Sequence, residues 1–167
     1  MLVPGSFAVE DAGPVVELMK SNPLACVVFG GEDPSASHLP VVFADDEADQ
    51  VVGATLLTHM NRSNPHWRAL ADGARVLVVF QGPHGYVSPT VYGADPAAPT
   101  WNFTVVHVHG TVRLLGAGEP ALRVVKRTVR VLEDRFGAGW DMTASLGYFE
   151  RIVPAVGALE IRVDRVE

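Results

Sequence analysis

From Val76 to Val112 the chain carries one formally charged residue, Asp95, and the stretch opens on the apolar run Val76-Leu77-Val78-Val79-Phe80. A run apolar at both odd and even positions predicts a strand over Arg75–Gln81 that is buried on both faces. Gly82-Pro83-His84-Gly85 breaks it, Tyr86-Val87-Ser88-Pro89 resumes an extended course, and Tyr92 to Pro99 reads as a loop. A second long strand follows from Trp101 to Leu115, with Gly110 marking a bulge or a close backbone approach. Strand alternation puts His107 and His109 on one face. Just upstream lies His59-Met60-Asn61-Arg62-Ser63-Asn64-Pro65-His66-Trp67, so five of the six histidines fall within 51 residues. Histidines and aromatics in weakly charged, Gly/Pro-punctuated sequence suit a concave ligand site, which needs apolar walls and a few fixed polar groups.

The rest of the chain frames this region. At 167 residues and 48% hydrophobic, it can bury one good core, and residues 1–167 read as a single domain. The first helical signal runs from Asp11 to Ser21, with Pro14 in its opening turn and Asn22-Pro23 as its stop. Leu24 to Phe29 and Ser37 to Phe43 follow as an antiparallel strand pair around the turn Gly30-Gly31-Glu32-Asp33-Pro34. Val51 to Thr58 is the next strand, and Asn64-Pro65 reads as an N-cap and first-turn proline for a short helix, Pro65 to Ala71. His59 and Arg62 therefore belong to a strand-to-helix corner. Pro120 to Phe136 is an amphipathic helix whose face of Arg123, Lys126, Arg127 and Arg130 is solvated. A helix from Ser145 to Val153 and an alternating strand from Ala158 to Val166 complete the order. Many strands with helices gathered late predict an α+β, mainly β, fold: a small β-barrel with short helical covers.

Charge and cysteine content narrow the partners. A formal net charge of −6 and a sequence pI near 5.4 disfavour direct nucleic-acid binding. Cys26 is the only cysteine, which excludes an intrachain disulfide and a cysteine-built metal cluster and fits a reducing cytoplasm. The N-terminus shows no basic segment followed by an apolar run, and no stretch approaches a membrane span, so a cytoplasmic protein with no membrane contact is expected.

Candidate site residues come from the histidine and aromatic blocks. His59 is a candidate metal or haem ligand, since a neutral imidazole beside a strand end can be aimed into a cavity; it can equally cap the following loop. Arg62 and Asn64 are candidates for an anionic group, the Arg by its planar fork of donors, against the plain reading of a surface Arg beside an N-cap. Trp67, Tyr86 and Trp101 are the right shape to pack on a planar cofactor, or simply to fill core. His107 and His109 have no evident third partner for a metal site. Cys26 reads as packing.

Three long blocks carry a family resemblance. His59-Met60-x-Arg62-x-Asn64-Pro65-x-Trp67, Phe80-Gln81-Gly82-Pro83-His84-x-Tyr86-x-Ser88-Pro89 and Pro99-Thr100-Trp101-Asn102-Phe103-x-x-Val106-His107 resemble the PaiB-like family, the FMN-binding negative transcriptional regulators. The resemblance implies an FMN-binding-type split β-barrel that forms a homodimer with its cofactor site at the subunit interface. Members carry a Lys soon after the position of Tyr92 and continue past the closing strand into a Lys-Leu-Ser-Gln-like segment; neither is present in this sequence, which weighs against flavin.

Within that family, His59-Met60-Asn61-Arg62, Pro83-His84-Gly85-Tyr86-Val87-Ser88-Pro89-Thr90-Val91-Tyr92-Gly93, Ala98-Pro99-Thr100-Trp101-Asn102-Phe103-Thr104 and Gly139-Trp140-Asp141-Met142-Thr143 look closest to the haem-dependent piperazate synthases. That resemblance implies an enzyme closing N5-hydroxyornithine into piperazic acid by forming an N–N bond on haem b. His59 is then the expected axial ligand of the iron, with Arg62, Asn64, Trp67, Trp101 and Asn102 around the cofactor. His84, Tyr86 and Thr100 are the expected catalytic proton carriers. The alternative is an FMN-binding oxidoreductase or flavin-responsive regulator, with Arg62 and Asn64 on the phosphate.

Overall fold

A computed structural model describes residues 3–9, 11–31 and 33–167; Met1 and Leu2 of the N-terminus and Glu32 of the expected turn lie outside the described residues. Seven strands form one antiparallel sheet: β1 (Leu24–Phe29), β2 (Ser35–Pro40), β3 (Val42–Phe43), β4 (Thr55–Asn61), β5 (Arg75–Val87), β6 (Thr100–Leu114) and β7 (Val156–Val166). Their spatial order is β2-β1-β5-β6-β7-β4-β3. The helices are α1 (Ala12–Ser21), α2 (Pro65–Ala69), α3 (Glu119–Phe136) and α4 (Leu146–Ile152). None of the described helices is long and apolar enough to cross a membrane.

The predicted strand Ser37–Phe43 is two strands, and the reason is topological. β2 pairs with β1 at one edge of the sheet, whereas β3 pairs with β4 at the other. Val41 alone separates them, and consecutive Cα atoms are only about 3.8 Å apart, so the two edges must meet. The sheet therefore curls into a half-barrel. Thr58 Oγ1 ties this seam by donating to the Pro40 carbonyl at 2.7 Å, and the Val41 N–H donates to the Pro23 carbonyl at 2.8 Å.

Inside the curl, alternate residues pack together: Val76, Val78 and Phe80 of β5 meet Val106 and Val108 of β6, Leu56 and Met60 of β4, and Ile161 of β7. α1 joins this core through Val16 and Met19, with the Asp11 carboxylate accepting from the Gly13 N–H as its N-cap. Outside, α3 and α4 cover β4 and β7, where Ala121, Leu122, Val125 and Phe149 pack on Leu57 and Ala158. Arg127 departs from the expected solvated face of α3. Its guanidinium reaches across to the sheet edge, donating to the Phe43 carbonyl at 3.1 and 3.3 Å and to the Asp46 carboxylate. That guanidinium holds the Asp46 carboxyl below its ordinary range.

Three strands differ from expectation. β4 starts at Thr55 and runs through His59, which is a mid-ladder residue opposite Ala158 rather than the residue after a strand. β5 passes straight through Gly82-Pro83-His84-Gly85 to Val87; the expected break is a register shift between Gln81 and His84 within the β5–β6 ladder. The expected double-sided burial of β5 holds on one face only. Val76, Val78 and Phe80 are buried, but Leu77 and Val79 are half-buried, because no helix covers the outer face of β1, β5 and β6.

Gly110 has both properties foreseen for it. The register shifts between His109 and Gly110, and a Cβ on Gly110 would sit 2.5 Å from Ile161 Cγ2 and 2.6 Å from the Arg162 carbonyl oxygen. Backbone cannot yield as a side chain does, so Gly110→Ala is expected to destabilise the fold by about 1–3 kcal/mol in chemical denaturation.

Candidate functional site

The first group of candidate residues lies where β4 turns into α2. Asn61 Oδ1 accepts from the Ser63 N–H at 2.7 Å, which tightens the turn, and Asn64 Oδ1 accepts from the His66 N–H at 3.0 Å as the N-cap of α2. Arg62 is held at both ends of its residue: its backbone N–H donates to the Ala155 carbonyl and its Nε to the Val156 carbonyl, each at 2.9 Å. The guanidinium lies 5.5 Å from the centre of the Trp67 ring. Trp67 in turn lies flat against Gly157, where a Cβ would come within 2.4 Å of the indole. Arg62 therefore cements the β4–α2 corner to the start of β7, leaving its terminal Nη groups without an acceptor among the described residues.

His59 shares its face of β4 with Leu57, the side covered by α3 and α4. It is half-buried, its Nδ1 is buried with no hydrogen-bond partner among the described residues, and burial pushes its pKa below the ordinary histidine value. The side chain is thus a neutral imidazole at pH 7 with a nitrogen that no described residue satisfies. Asn64 is fully engaged, because its Nδ2 also donates to Ser37 Oγ at 3.3 Å.

The second group lies on the far half of the β5–β6 hairpin, and the register explains its grouping. His84 stands opposite Phe103 and Tyr86 opposite Trp101, on the outer face. The Trp101 Nε1–H donates to His84 Nδ1 at 3.3 Å, and the rings stack with centroids 5.9 Å apart. An indole N–H can only donate, so His84 Nδ1 is the acceptor in this contact. Tyr86 tilts against the other side of the cluster, 6.2 Å from Trp101. Gln81, His84, Trp101, Phe103, Val105 and His107 line a shallow cleft of about 310 Å³ containing no formal charge. Trp101, Phe103 and Tyr86 remain 55%, 58% and 58% exposed, an unusual outlay of aromatic surface for a free sheet face.

Alternation separates the remaining candidates from this cluster. Thr100 and Asn102 occupy the opposite face of β6 from Trp101 and Phe103, so neither joins His84 and Tyr86. None of His59, Arg62, Asn64 or Trp67 lines the cleft, and β7 intervenes between β4 and β6. His107 and His109 share the outer face as expected; His109 Nε2 lies 3.7 Å from Glu167 Oε1. Among the described residues, no three His, Cys, Asp or Glu side chains are placed to hold a metal ion.

Gly157, Ser37 and His66 are not among the candidate site residues read from the sequence. Gly157 carries no local signal, because its need for a bare backbone arises from Trp67, ninety residues upstream. His66 Nδ1 lies 2.9 Å from Ser37 Oγ, a contact between α2 and β2 that only the curled sheet creates.

Residues 1–165 match the family profile described as "Putative FMN-binding domain". The chain belongs to this family. Among curated relatives, the family likeness extends to the protease synthase and sporulation protein PAI 2 of Bacillus subtilis (strain 168), 34% identical over 123 residues, covering 72% of this chain and 56% of the relative. The chain spans about half the length of the curated relatives it matches. Among solved structures, the conserved hypothetical protein Rv2991 from Mycobacterium tuberculosis superposes with a TM-score of 0.64 at 12% identity, covering 99% of this chain and 88% of that one. HutZ, the haem storage protein from Vibrio cholerae, gives 0.54 at 9% identity with 93% of each chain covered. The split-barrel fold of the family is the half-barrel described above.

The cradle between Trp67 and Gly157 is directly testable. Gly157→Ala is expected to expel the indole, lowering stability by about 1–3 kcal/mol and red-shifting tryptophan emission, whereas Gly147→Ala, where a Cβ meets nothing within 4 Å, leaves the emission unchanged.

Proposed function

We propose that the chain is a haem-binding, piperazate synthase-like enzyme that works as a homodimer, its cofactor pocket completed by the second copy. The observation that carries the haem reading is His59: a neutral, half-buried imidazole that makes no hydrogen bond among the described residues, so a ring lone pair is left for a ligand. Haem needs one such Lewis base, apolar walls and a cation for its propionates. His59, the Trp101–Phe103–Val105 face and the free Nη groups of Arg62 fit those needs. The haem storage function named for HutZ, on the same fold, agrees with a barrel that accommodates haem.

The dimer reading rests on the bare outer face. His59 and Arg62 do not meet the aromatic cleft within one chain, and the cleft is too open to exclude water alone. In the proposed dimer a second copy lies on β1, β5 and β6 over the half-buried Leu77 and Val79 and the exposed Trp101 and Phe103, and the pocket is shared between one copy's cleft and the other's β4–α2 corner.

In the proposed reaction the α-amine of N5-hydroxyornithine attacks N5 as the N–O bond breaks. The oxygen leaves as water with one added proton, the new N–N bond sheds one proton from the amine, and no oxidant is consumed. Haem iron, when bound, supplies a Lewis acid that weakens the N–O bond. The protein's part is to hold and exclude. Arg62 binds a carboxylate, of the cofactor or of the amino acid, through its free Nη groups. His84, its ring placed beside Trp101, can deliver a proton to the departing oxygen when it is in its protonated, imidazolium form, and Tyr86 is the adjacent hydroxyl that can resupply it. Thr100, on the other face of β6, reaches this chemistry only from a different side of the pocket.

A specific observation favours the flavin alternative: the family is described by FMN, and the Nη groups of Arg62 would suit a phosphate equally. Absorption spectra separate the two. Purified protein supplied with haem is expected to show a Soret band that His59→Ala abolishes or shifts; an unchanged band in that variant rules His59 out as ligand, and a two-band flavin spectrum establishes FMN. Sedimentation tests the dimer: wild type is expected at twice the chain mass and Phe103→Glu, at an exposed site, at the chain mass.

A further inference from the structure

The α2 turn is gripped from its other side by a closed set of hydrogen bonds that the proposed chemistry does not use. The His66 backbone N–H must donate, so the Asn64 atom it meets at 3.0 Å is Oδ1, and Nδ2 is left to donate to Ser37 Oγ at 3.3 Å. The Ser37 hydroxyl then has its own proton to place, and His66 Nδ1 lies 2.9 Å away to accept it. Each polar atom of this triangle is matched only while His66 is neutral. His66 is 2% exposed, and its Nε2 is buried with no hydrogen-bond partner among the described residues.

We propose that Asn64, Ser37 and His66 form an acid-released clasp that holds α2 against β2 and opens when His66 takes up a proton. Protonation turns Nδ1 into a donor, so Ser37 Oγ must accept from two sides while its own proton loses its acceptor. It also places a full charge on a buried ring whose second N–H has no acceptor. Among the described residues no carboxylate is hydrogen-bonded or ion-paired to His66 to offset this charge. On α2 and its lead-in, Arg68 is exposed and Arg62 is committed to Val156 and Trp67; on β2, His38 points to the opposite face; on β4, His59 is itself neutral and faces the helical cover. Burial accordingly pushes His66 below the ordinary histidine value. With the folded-state value depressed, the unfolded chain binds more protons, so the clasp is intact above about pH 6.5 and weakens as pH falls below it.

The consequence reaches the candidate site, since the segment the clasp holds carries Arg62 and Trp67 onto β7. The clasp itself does not rest on the identity of the cofactor, and its test uses protein without one. Because His59 is also held down by burial, global melting is the wrong readout; amide exchange in α2 is the right one. The reporting amides are those of His66, bonded to Asn64 Oδ1, and Leu70, bonded to the His66 carbonyl. After correction for intrinsic exchange, their protection is expected to fall at least tenfold between pH 7.5 and pH 5, while that of the Val78 amide in the core of β5 falls less. In His66→Asn, whose side-chain oxygen can still accept from Ser37 but cannot titrate, α2 protection should not change with pH. Equal loss in wild type and variant, or a flat wild-type profile, overturns the proposal. If the variant does not fold, imidazole nitrogen shifts of wild type decide: His66 must titrate below an exposed histidine and in step with the α2 amides, and titration without that coupling overturns the clasp.

Discussion

The governing constraint is that the two edges of a seven-stranded sheet are joined by one residue, Val41. A flat sheet would hold those edges roughly thirty ångströms apart at about 4.8 Å per strand spacing, so the backbone can pair fully only if the sheet rolls up. Rolling assigns every strand an inside and an outside. The inside becomes a dry apolar core closed by α1, and the outside divides into a half covered by α3 and α4 and a half left bare. Each candidate group then takes its place from parity alone: Trp101, Phe103, His107 and His109 face outward, whereas Thr100 and Asn102 face the other way.

Much of this was legible because period-two patterning and helix caps are local signals. Asn64 acts as an N-cap as its sequence context predicts, the β1–β2 pair is antiparallel, and Gly110 is both a bulge and a contact point. What was not legible depends on partners distant in sequence. The division of Ser37–Phe43 into two strands follows from which neighbours each half finds, and nothing in that segment announces it. Pro83 and Gly85 signal a break, yet the long ladder to β6 carries β5 through them with a shift of register. The basic face of α3 hides Arg127, whose target is a carbonyl on β3.

For the candidate site, residue types were easier to read than residue placement. The sequence brought out His59, Arg62, His84 and Trp101, and the structure gives each a defined setting: a neutral imidazole without a partner among the described residues, a half-used guanidinium, an imidazole accepting at Nδ1 and its indole donor. The sequence did not show that these fall into two groups on different walls. Ser37, His66 and Gly157, which hold the first wall in position, are small or buried and become visible only through what they touch.

The position of β7 has a consequence for how the chain reaches this state. β4 finds only a two-residue partner in β3; its long ladder is with β7, where Leu57 faces Glu160 about a hundred residues downstream. Until that strand docks, an apolar segment containing Leu56, Leu57 and Met60 has no lasting place to pair, and the sheet cannot close over its core. Loops of such length are costly to close before they are rewarded, so assembly should be slow and limited by the arrival of β7. The corner carrying His59 and Arg62 would then be among the final parts to order, even though it lies in the first half of the chain.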